Sequence, residues 1–177
     1  MNILVFGAQG SGKSTHAKYI AEKLKVPYIY TGDLFRELEN ENSERGKRIR
    51  ELMHEGRLIP DEISIPAFEE YLNKFDISAG IVLDGFPRNL HQAQYLPIKL
   101  DLIIYITLTE SVAIERLKLR GRYDDTSEGI KNRLALYKTQ TEPIIKYFEG
   151  VGVPVKYVDN SPSIEEVRKT IDDQIKE

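Results

Sequence analysis

The chain has 177 residues, of which 41% are hydrophobic and 30% are charged, proportions typical of one globular domain with a sizeable core. Its net charge of −3 shows no excess of basic residues, so we expect no nucleic-acid partner. The chain contains no cysteine, which excludes disulfides, a thiol nucleophile and cysteine-ligated zinc, and we expect no zinc cofactor. No apolar run reaches membrane length, and the N-terminal run lacks a basic flank, so we expect a cytoplasmic protein without a membrane partner.

Apolar runs bounded by turn residues predict five strands, at residues 2–6, 28–30, 81–84, 101–108 and 153–158. Helices are predicted at 13–25, 33–41, 43–55, 62–75, a short segment ending near 95, 110–120, 126–148 and 163–175. We expect residues 31–33 and Asp61 to cap two helices, Gly121 to end another, and Pro143 to bend or break the longest. Strands alternating with helices indicate a three-layer α/β fold with a parallel sheet.

The segment GAQGSGKST, residues 7–15, follows the first strand directly and fits the pattern G-x-x-x-x-G-K-[ST]. Glycines let several backbone N–H groups converge on a phosphate, and the following helix turns its positive end to the same point. Lys13 would reach the β- and γ-phosphates, and the Ser14 hydroxyl would ligate Mg²⁺. A flexible turn is the alternative, but the flanking strand and amphipathic helix favour a nucleoside triphosphate site. Its residues would be Gly10, Ser11, Gly12, Lys13, Ser14 and Thr15.

Ligands of parallel α/β sheets bind at the carboxyl ends of the strands, so the loops after the first three strands are expected to face one crevice. Asp84 ends a buried strand there, where an unpaired carboxylate would be costly. We interpret it as an acid that holds Mg²⁺, directly or through water. The alternative is a helix cap or a salt-bridged surface acid.

Arginines accompany the same loops. Arg36 and Arg88 each follow a strand by a few residues, and a guanidinium suits phosphate because its planar fork donates two parallel hydrogen bonds. Either one alone would be interpreted as a solvated surface residue.

A second group of arginines consists of Arg116, Arg120, Arg122 and Arg133. Like charges four residues apart on a helix are unfavourable unless an anion binds them. Asp124 and Asp125 are placed to hold these arginines when no substrate is bound, and the alternative is an ordinary charged helix pair. Phosphoryl transfer needs such a cluster because negative charge spreads over the oxygens of the transferring group.

No pattern indicates a covalent nucleophile. His16, His54 and His91 are scattered along the chain, and each is expected at the surface. Direct transfer between two bound substrates therefore fits better than a phosphoenzyme, and the arginines indicate an anionic acceptor.

The sequence closely resembles the adenylate kinase family of nucleoside monophosphate kinases over nearly the whole chain. The resemblance is carried by GAQGSGKST, TGDLFR (31–36), GKRIRELMHEGRLIPDE (46–62), DGFPRNLHQ (84–92), RLKLRGRYDD (116–125), Arg133 and TEP (141–143). It implies a P-loop kinase core (1–29, 60–120 and 126–177), a small helical monophosphate-binding insert (30–59) and a minimal lid (121–125). It also implies transfer of the γ-phosphoryl group of Mg-ATP to AMP, giving two ADP, and we expect a monomer.

The resemblance implies roles for individual residues. On the AMP side, Thr31 and Gln92 meet the adenine, and Arg36 and Arg88 hold the phosphate. The same side includes Arg57, Leu58, Ile59, Gly85, Phe86 and Pro87. On the ATP side, Arg116 stacks on the base, which also meets a backbone carbonyl at Pro162, and Arg120 binds the phosphates. The implied catalytic set is Lys13, Arg88, Arg120, Arg122 and Arg133, of which Arg122 and Arg133 also contact AMP, while Ser14 and Asp84 organise Mg²⁺.

Three features bear on specificity and on the lid. Gln92 favours AMP because an amide donates and accepts in one plane, whereas relatives acting on UMP or CMP resemble Asn there. Ser14 stands where the family more often has glycine. Only Gly121 separates Arg120 from Arg122, where long-lid members insert a small domain, so we expect more ATP hydrolysis relative to transfer. The alternatives are a UMP/CMP or other small-acceptor kinase, and a nucleotide-binding module with little turnover.

Overall fold

The computed structural model describes residues 1–123 and 125–176. Its strands are β1 (Asn2–Phe6), β2 (Tyr28–Tyr30), β3 (Ile81–Asp84), β4 (Leu102–Thr107) and β5 (Val155–Asp159). They form one sheet in the order β2-β3-β1-β4-β5, and every neighbouring pair is parallel. The predicted five-stranded parallel sheet is confirmed.

Two hydrophobic clusters cover the opposite faces of this sheet, because alternate residues of a strand point to opposite sides. From β1, Leu4 and Phe6 belong to one cluster, whereas Ile3 and Val5 belong to the other. The first cluster includes Phe68 and Ile144 from helices on one side of the sheet, and the second includes Ile20 and Ile171 from helices on the other. The three-layer arrangement is therefore also confirmed.

The helices are α1 (Lys13–Leu24), α2 (Thr31–Leu38), α3 (Glu44–His54), α4 (Asp61–Leu72), α5 (Leu90–Tyr95), α6 (Glu110–Arg120), α7 (Ser127–Leu136), α8 (Pro143–Gly150) and α9 (Ile164–Gln174). Gly121 ends α6 in a left-handed conformation (φ 62°), as the sequence predicts. Within residues 1–123 and 125–176, none of the helices combines the length and apolar character of a membrane span.

The predicted helix 126–148 is divided into three parts. A π-helical segment, Tyr137–Thr141, separates α7 from α8, which begins at Pro143. Proline has no N–H to donate to the preceding turn, and its ring crowds the carbonyl four residues back. The chain accommodates this with a wider turn, in which the N–H of Glu142 donates to the carbonyl of Tyr137 at 2.7 Å.

Two predicted caps are wrong. Residues 31–33 form the first turn of α2, which has no side-chain cap. Asp61 is the first residue of α4, after Pro60, and does not cap it. Its carboxylate instead accepts hydrogen bonds from the side chains of Asn89 and Gln92, both at 2.8 Å, because α5 packs close to the start of α4.

The α2–α3 region has a small apolar cluster of its own. Ile49, Leu52 and Ile59 are buried together, and Phe35, Leu38, Met53 and Ile63 pack around them. This cluster is separate from the two that cover the sheet, so α3 is stabilised mainly by local packing.

Candidate active site

A cavity of about 450 Å³ opens at the carboxyl ends of β1, β2 and β3. Its wall includes Gly10, Gly12, Lys13, Ser14, Thr15, Thr31, Arg36, Arg57, Leu58, Ile59, Gly85, Phe86, Arg88, Gln92, Arg116, Arg120, Arg122 and Arg133. The convergence that the parallel topology predicts is therefore present, and one cavity contains both the phosphate-loop residues and the arginines.

Four candidate residues do not line this cavity. Ser11 and Pro87 are buried beside it, and Asp84 is fully buried at the end of β3. Pro162 lies in the exposed turn between β5 and α9.

The loop before α1 requires glycine for two reasons. Gly10 and Gly12 have φ angles of 83° and 89°, which side chains rarely adopt. A Cβ at Gly12 would also overlap the side-chain nitrogen of Asn160. The close approach brings the N-terminus of α1, with its unpaired N–H groups, to the cavity. Burial lowers the pKa of the Lys13 ammonium, although the Asp84 carboxylate opposes this shift, so a phosphate beside Lys13 would compensate a desolvated charge.

The surroundings of Asp84 and Ser14 bear on the predicted magnesium site. Asp84 Oδ2 accepts hydrogen bonds from the hydroxyls of Ser14 and Tyr28. Its other oxygen, Oδ1, is buried and has no partner among the described residues. Mg²⁺ prefers oxygen ligands and usually keeps several waters, so this oxygen fits a water-mediated metal contact. Asp84 is not the surface acid of the alternative interpretation.

Arg88 is held at three points. Its backbone N–H donates to Gln92 Oε1 at 2.7 Å, and its Nε donates to the carbonyl of Gly85 at 2.6 Å. Its own carbonyl accepts from Thr141 Oγ1 at 2.6 Å. Neither terminal nitrogen has a hydrogen-bond partner in the described part of the chain, and burial lowers the guanidinium pKa. These two nitrogens are available to an anion in the cavity.

Gln92 is buried, and its amide is largely occupied by protein partners. Its Nε2 donates to Asp61 at 2.8 Å and to Ser64 Oγ at 3.1 Å, while Oε1 accepts from the N–H of Arg88. A carbonyl oxygen has two lone pairs, so one acceptor position on Oε1 remains. The network fixes the amide plane, and the proposed contact with adenine stays a prediction.

Asp125 organises the arginines of α6 and α7. Arg120 donates to both carboxylate oxygens, at 2.6 and 2.8 Å, and Arg133 Nη2 donates at 2.7 Å. The Asp125 side chain is 1% exposed. Burial alone would raise its pKa, but the two guanidinium groups hold the pKa below its usual value. The predicted role of Asp125 in holding the arginines is confirmed, and Asp124 lies outside the described residues.

Tyr30 is a cavity residue that the sequence motifs do not identify. Its hydroxyl accepts a hydrogen bond from Arg122 Nη1 at 3.5 Å, and the Arg36 guanidinium lies 5.2 Å from its ring centre. Burial opposes ionisation, but Lys13, Arg122 and Arg36 lower the phenol pKa to about 8. The only signal in the sequence is its position at the end of β2, beside the TGDLFR segment.

The histidine prediction is correct for His54 and His91 and wrong for His16. His54 and His91 are exposed. His16 is 1% exposed on the buried face of α1, and its Nε2 lies 2.8 Å from Asn160 Oδ1. Periodicity along α1 includes position 16 on the face toward the sheet, which is the signal that predicts its burial.

Comparisons with known proteins agree on one family. The family model described as adenylate kinase matches residues 5–153. An adenylate kinase of Corynebacterium urealyticum is 36% identical over 174 residues, covering 94% of each chain. One from Thermobifida fusca is 38% identical over 178 residues, again covering 94% of each chain. One from Ruminiclostridium cellulolyticum is 32% identical over 209 residues, covering 97% of each chain.

Proposed function

The chain belongs to the adenylate kinase family and is an enzyme that converts ATP and AMP into two ADP, and we propose that the cavity performs this by direct in-line phosphoryl transfer. One observation carries the proposal: phosphate-loop residues and two sets of arginines line the same cavity. Both substrates can therefore bind at once, and no protein nucleophile is needed between them.

On the ATP side, we assign the triphosphate to the loop residues 10–15 and the base to Arg116. The N-terminus of α1 favours negative charge, and Lys13 adds a cation at the position of the β- and γ-phosphates. The carbonyl at Pro162 is the remaining implied contact, and its exposed position in the turn after β5 means that the base would lie at the rim of the cavity.

On the AMP side, we assign the phosphate to Arg36 and Arg88 and the adenine to Thr31 and Gln92. Thr31 is buried at the start of α2 and close to Gly85. Residues 57–59 would form the opposite side of the base pocket, with Gly85, Phe86 and Pro87 as its support. The held conformation of Arg88 supports this assignment because its free terminal nitrogens match two phosphate oxygens.

Transition-state stabilisation is assigned to Lys13, Arg88, Arg120, Arg122 and Arg133. Arginines around a transferring phosphoryl group are worth roughly 10³- to 10⁵-fold in rate. Bound Mg²⁺ would supply charge neutralisation at the β- and γ-oxygens, and Ser14 and Asp84 are the residues that would hold it. Because these groups position charge and perform no covalent step, the AMP phosphate oxygen itself acts as the nucleophile.

We also propose the division into a core (1–29, 60–120 and 126–177), a monophosphate-binding insert (30–59) and a short lid (121–125). The separate cluster around Ile49 supports an insert that moves with some independence. A monomeric, cytoplasmic enzyme without zinc remains our expectation, and light scattering would test the monomer.

The direct test is steady-state transfer from Mg-ATP to equal concentrations of AMP, CMP, UMP and GMP, with an ATP-only control. We expect a strong preference for AMP over a slow control. Preference for UMP or CMP would be consistent with the same transfer mechanism, but it would contradict the proposed recognition of adenine by Gln92. Binding of ATP without transfer to any acceptor would instead support a nucleotide-binding module.

A further inference from the structure

Asn160, directly after β5, connects several parts of the donor half of the site. It is 8% exposed, and its backbone N–H donates to the carbonyl of Thr107 at 2.9 Å. Its side chain contacts two further segments: Nδ2 donates to the carbonyl of Ser11 at 2.6 Å, and Oδ1 lies 2.8 Å from His16 Nε2. Its own carbonyl accepts from Arg116 Nη2 at 3.5 Å.

The direction of these bonds assigns a role to each group. Because Nδ2 of Asn160 donates to Ser11, Oδ1 is the atom that faces His16, and His16 must donate through Nε2. The other ring nitrogen, Nδ1, is buried without a hydrogen-bond partner in the described part of the chain. An unpaired buried nitrogen destabilises the fold, so an apolar residue would suit this position better if packing were its only purpose. What His16 provides is the hydrogen bond that fixes the amide of Asn160.

The fixed amide determines the orientation of one peptide of the phosphate loop. In a planar trans peptide, the carbonyl and the following N–H point in opposite directions. The Ser11 carbonyl points inward to Asn160, so the N–H of Gly12 points outward, toward the cavity that Gly12 lines. Gly12 also has the left-handed φ of 89° that the turn requires, and only a residue without a Cβ fits against Asn160.

We propose that Asn160, fixed by His16, is a positioning residue for the donor nucleotide. It orients the Ser11–Gly12 peptide toward the phosphates and holds Arg116, and it therefore controls ATP affinity and leaves AMP affinity unchanged. The inference rests on the proposed assignment of ATP to the phosphate-loop side. Neither side chain touches the reacting atoms, so both act through the groups that they orient.

The test is to measure binding of AMP and of the non-hydrolysable analogue β,γ-imido-ATP with Mg²⁺, separately, by calorimetry. Asn160→Leu keeps the approximate shape and removes both side-chain hydrogen bonds. We expect its affinity for the ATP analogue to fall about tenfold, the cost of losing one ordered hydrogen bond and part of the loop geometry, with AMP affinity within about twofold. Ile171→Ala is the control for stability, because Ile171 is fully buried in the cluster beneath α1 and α9 and does not line the cavity.

The histidine gives a second test that does not depend on Asn160→Leu folding. His16→Gln retains a donor for Asn160 and should preserve most of the ATP affinity, whereas His16→Leu should weaken it several-fold. The double variant His16→Leu with Asn160→Leu should be no weaker than Asn160→Leu alone, because the two residues act as a unit.

Equal losses for AMP and the ATP analogue, or equal effects of His16→Gln and His16→Leu, would overturn the proposal. Failure of the proposed function is distinguishable from this, because it would show as absent transfer to AMP by the unsubstituted enzyme, while the binding measurements remain interpretable.

Discussion

At the scale of single residues, we expect the planar, two-donor shape of the Arg88 guanidinium to matter more for phosphoryl transfer than its positive charge. Arg88 is held through its N–H, its Nε and its carbonyl, so its terminal nitrogens have a fixed direction. A lysine keeps the charge but presents one rotatable ammonium in place of two parallel donors.

We therefore predict that Arg88→Lys lowers kcat by about 10²- to 10³-fold, the usual cost of removing one preorganised donor to a transition state. Steady-state kinetics with saturating ATP and AMP would measure it. Arg45→Lys is the matched control, since Arg45 forms an exposed pair with Glu41 outside the cavity and should have no effect. A loss below threefold in Arg88→Lys would show that charge alone suffices.

A second prediction concerns pH and Tyr30. Below its pKa of about 8 the phenol is neutral; above it, a phenolate pairs with Lys13, Arg36 and Arg122, and it competes with the phosphate of AMP for the two arginines. We expect KM for AMP to rise as the pH increases from 7 to 9, and Tyr30→Phe to remove this rise while keeping the ring beside Arg36. Tyr71→Phe, outside the cavity, should retain the wild-type profile. If KM for AMP still rose with pH in Tyr30→Phe, a titrating group other than Tyr30 would be responsible.

The residues that could be predicted are those whose chemistry follows from local sequence. The loop pattern predicts, without knowledge of the fold, that Lys13 and Ser14 lie at the phosphate site, where both line the cavity. The end of a predicted strand likewise marks Asp84 as a site candidate. Tyr30 and His16 could not be assigned in the same way, because their surroundings come from segments far away in the chain. Arg122 approaches Tyr30 across 92 positions, and Asn160 approaches His16 across 144.

At the scale of elements, the buried strands were the most predictable, since β1 and β3 are short apolar runs followed by turn residues. The region after Thr126 was the least predictable. Its helical pattern continues through residue 148, but the π-helical segment depends on the combination of Pro143 with tertiary contacts of Tyr137 and Thr141. Periodicity alone contains no information about that extra residue per turn.

The proposed insert leads to a prediction about local stability. Ile49 is fully buried in the small cluster of the α2–α3 region, so Ile49→Ala should cost about 2–5 kcal/mol within that unit. We expect faster amide exchange in residues 31–54 and a higher KM for AMP, with affinity for the ATP analogue unchanged. Hydrogen exchange combined with calorimetry would measure both.

The comparison variant is Ile171→Ala, in the cluster between the sheet, α1 and α9. It should lower global stability without a selective effect on AMP. If Ile49→Ala instead lowered the affinities for the ATP analogue and for AMP equally, the proposed insert would have to unfold together with the core as one cooperative unit.

At the scale of the whole molecule, the segment proposed as a short lid and the start of α7 contact the region proposed as the monophosphate-binding insert. The hydroxyl of Tyr123 donates to the carboxylate of Glu39, and Asn132 Nδ2 donates to the carbonyl of Glu55 at 3.0 Å. Gly56 packs directly on the backbone of Gly129. On the proposed division of the chain, we expect the lid, α7 and the insert to cover the cavity together, with the insert supplying surface that a larger lid domain would otherwise supply.

This arrangement leads to a prediction about water. A small cover excludes solvent less completely from a reactive phosphate, so the ratio of ATP hydrolysis to transfer should exceed that of a long-lid family member. Phosphate release with ATP alone, divided by transfer to AMP under the same conditions, would measure the ratio. A ratio equal to or below that of the long-lid enzyme would show that the arginines and the insert close the site sufficiently.

Asp125 also has a consequence for which anions the enzyme tolerates. Because its carboxylate already pairs with both Arg120 and Arg133, an anion that binds these two arginines must replace the carboxylate and compete with its two-point contact. Chloride, a single weakly held charge, cannot match that contact, whereas a phosphate chain offers several oxygens at once. Buried Asp125 thereby restricts binding to anions that can displace it. We expect simple salts to inhibit this enzyme less than they inhibit sites whose arginines have no carboxylate partner.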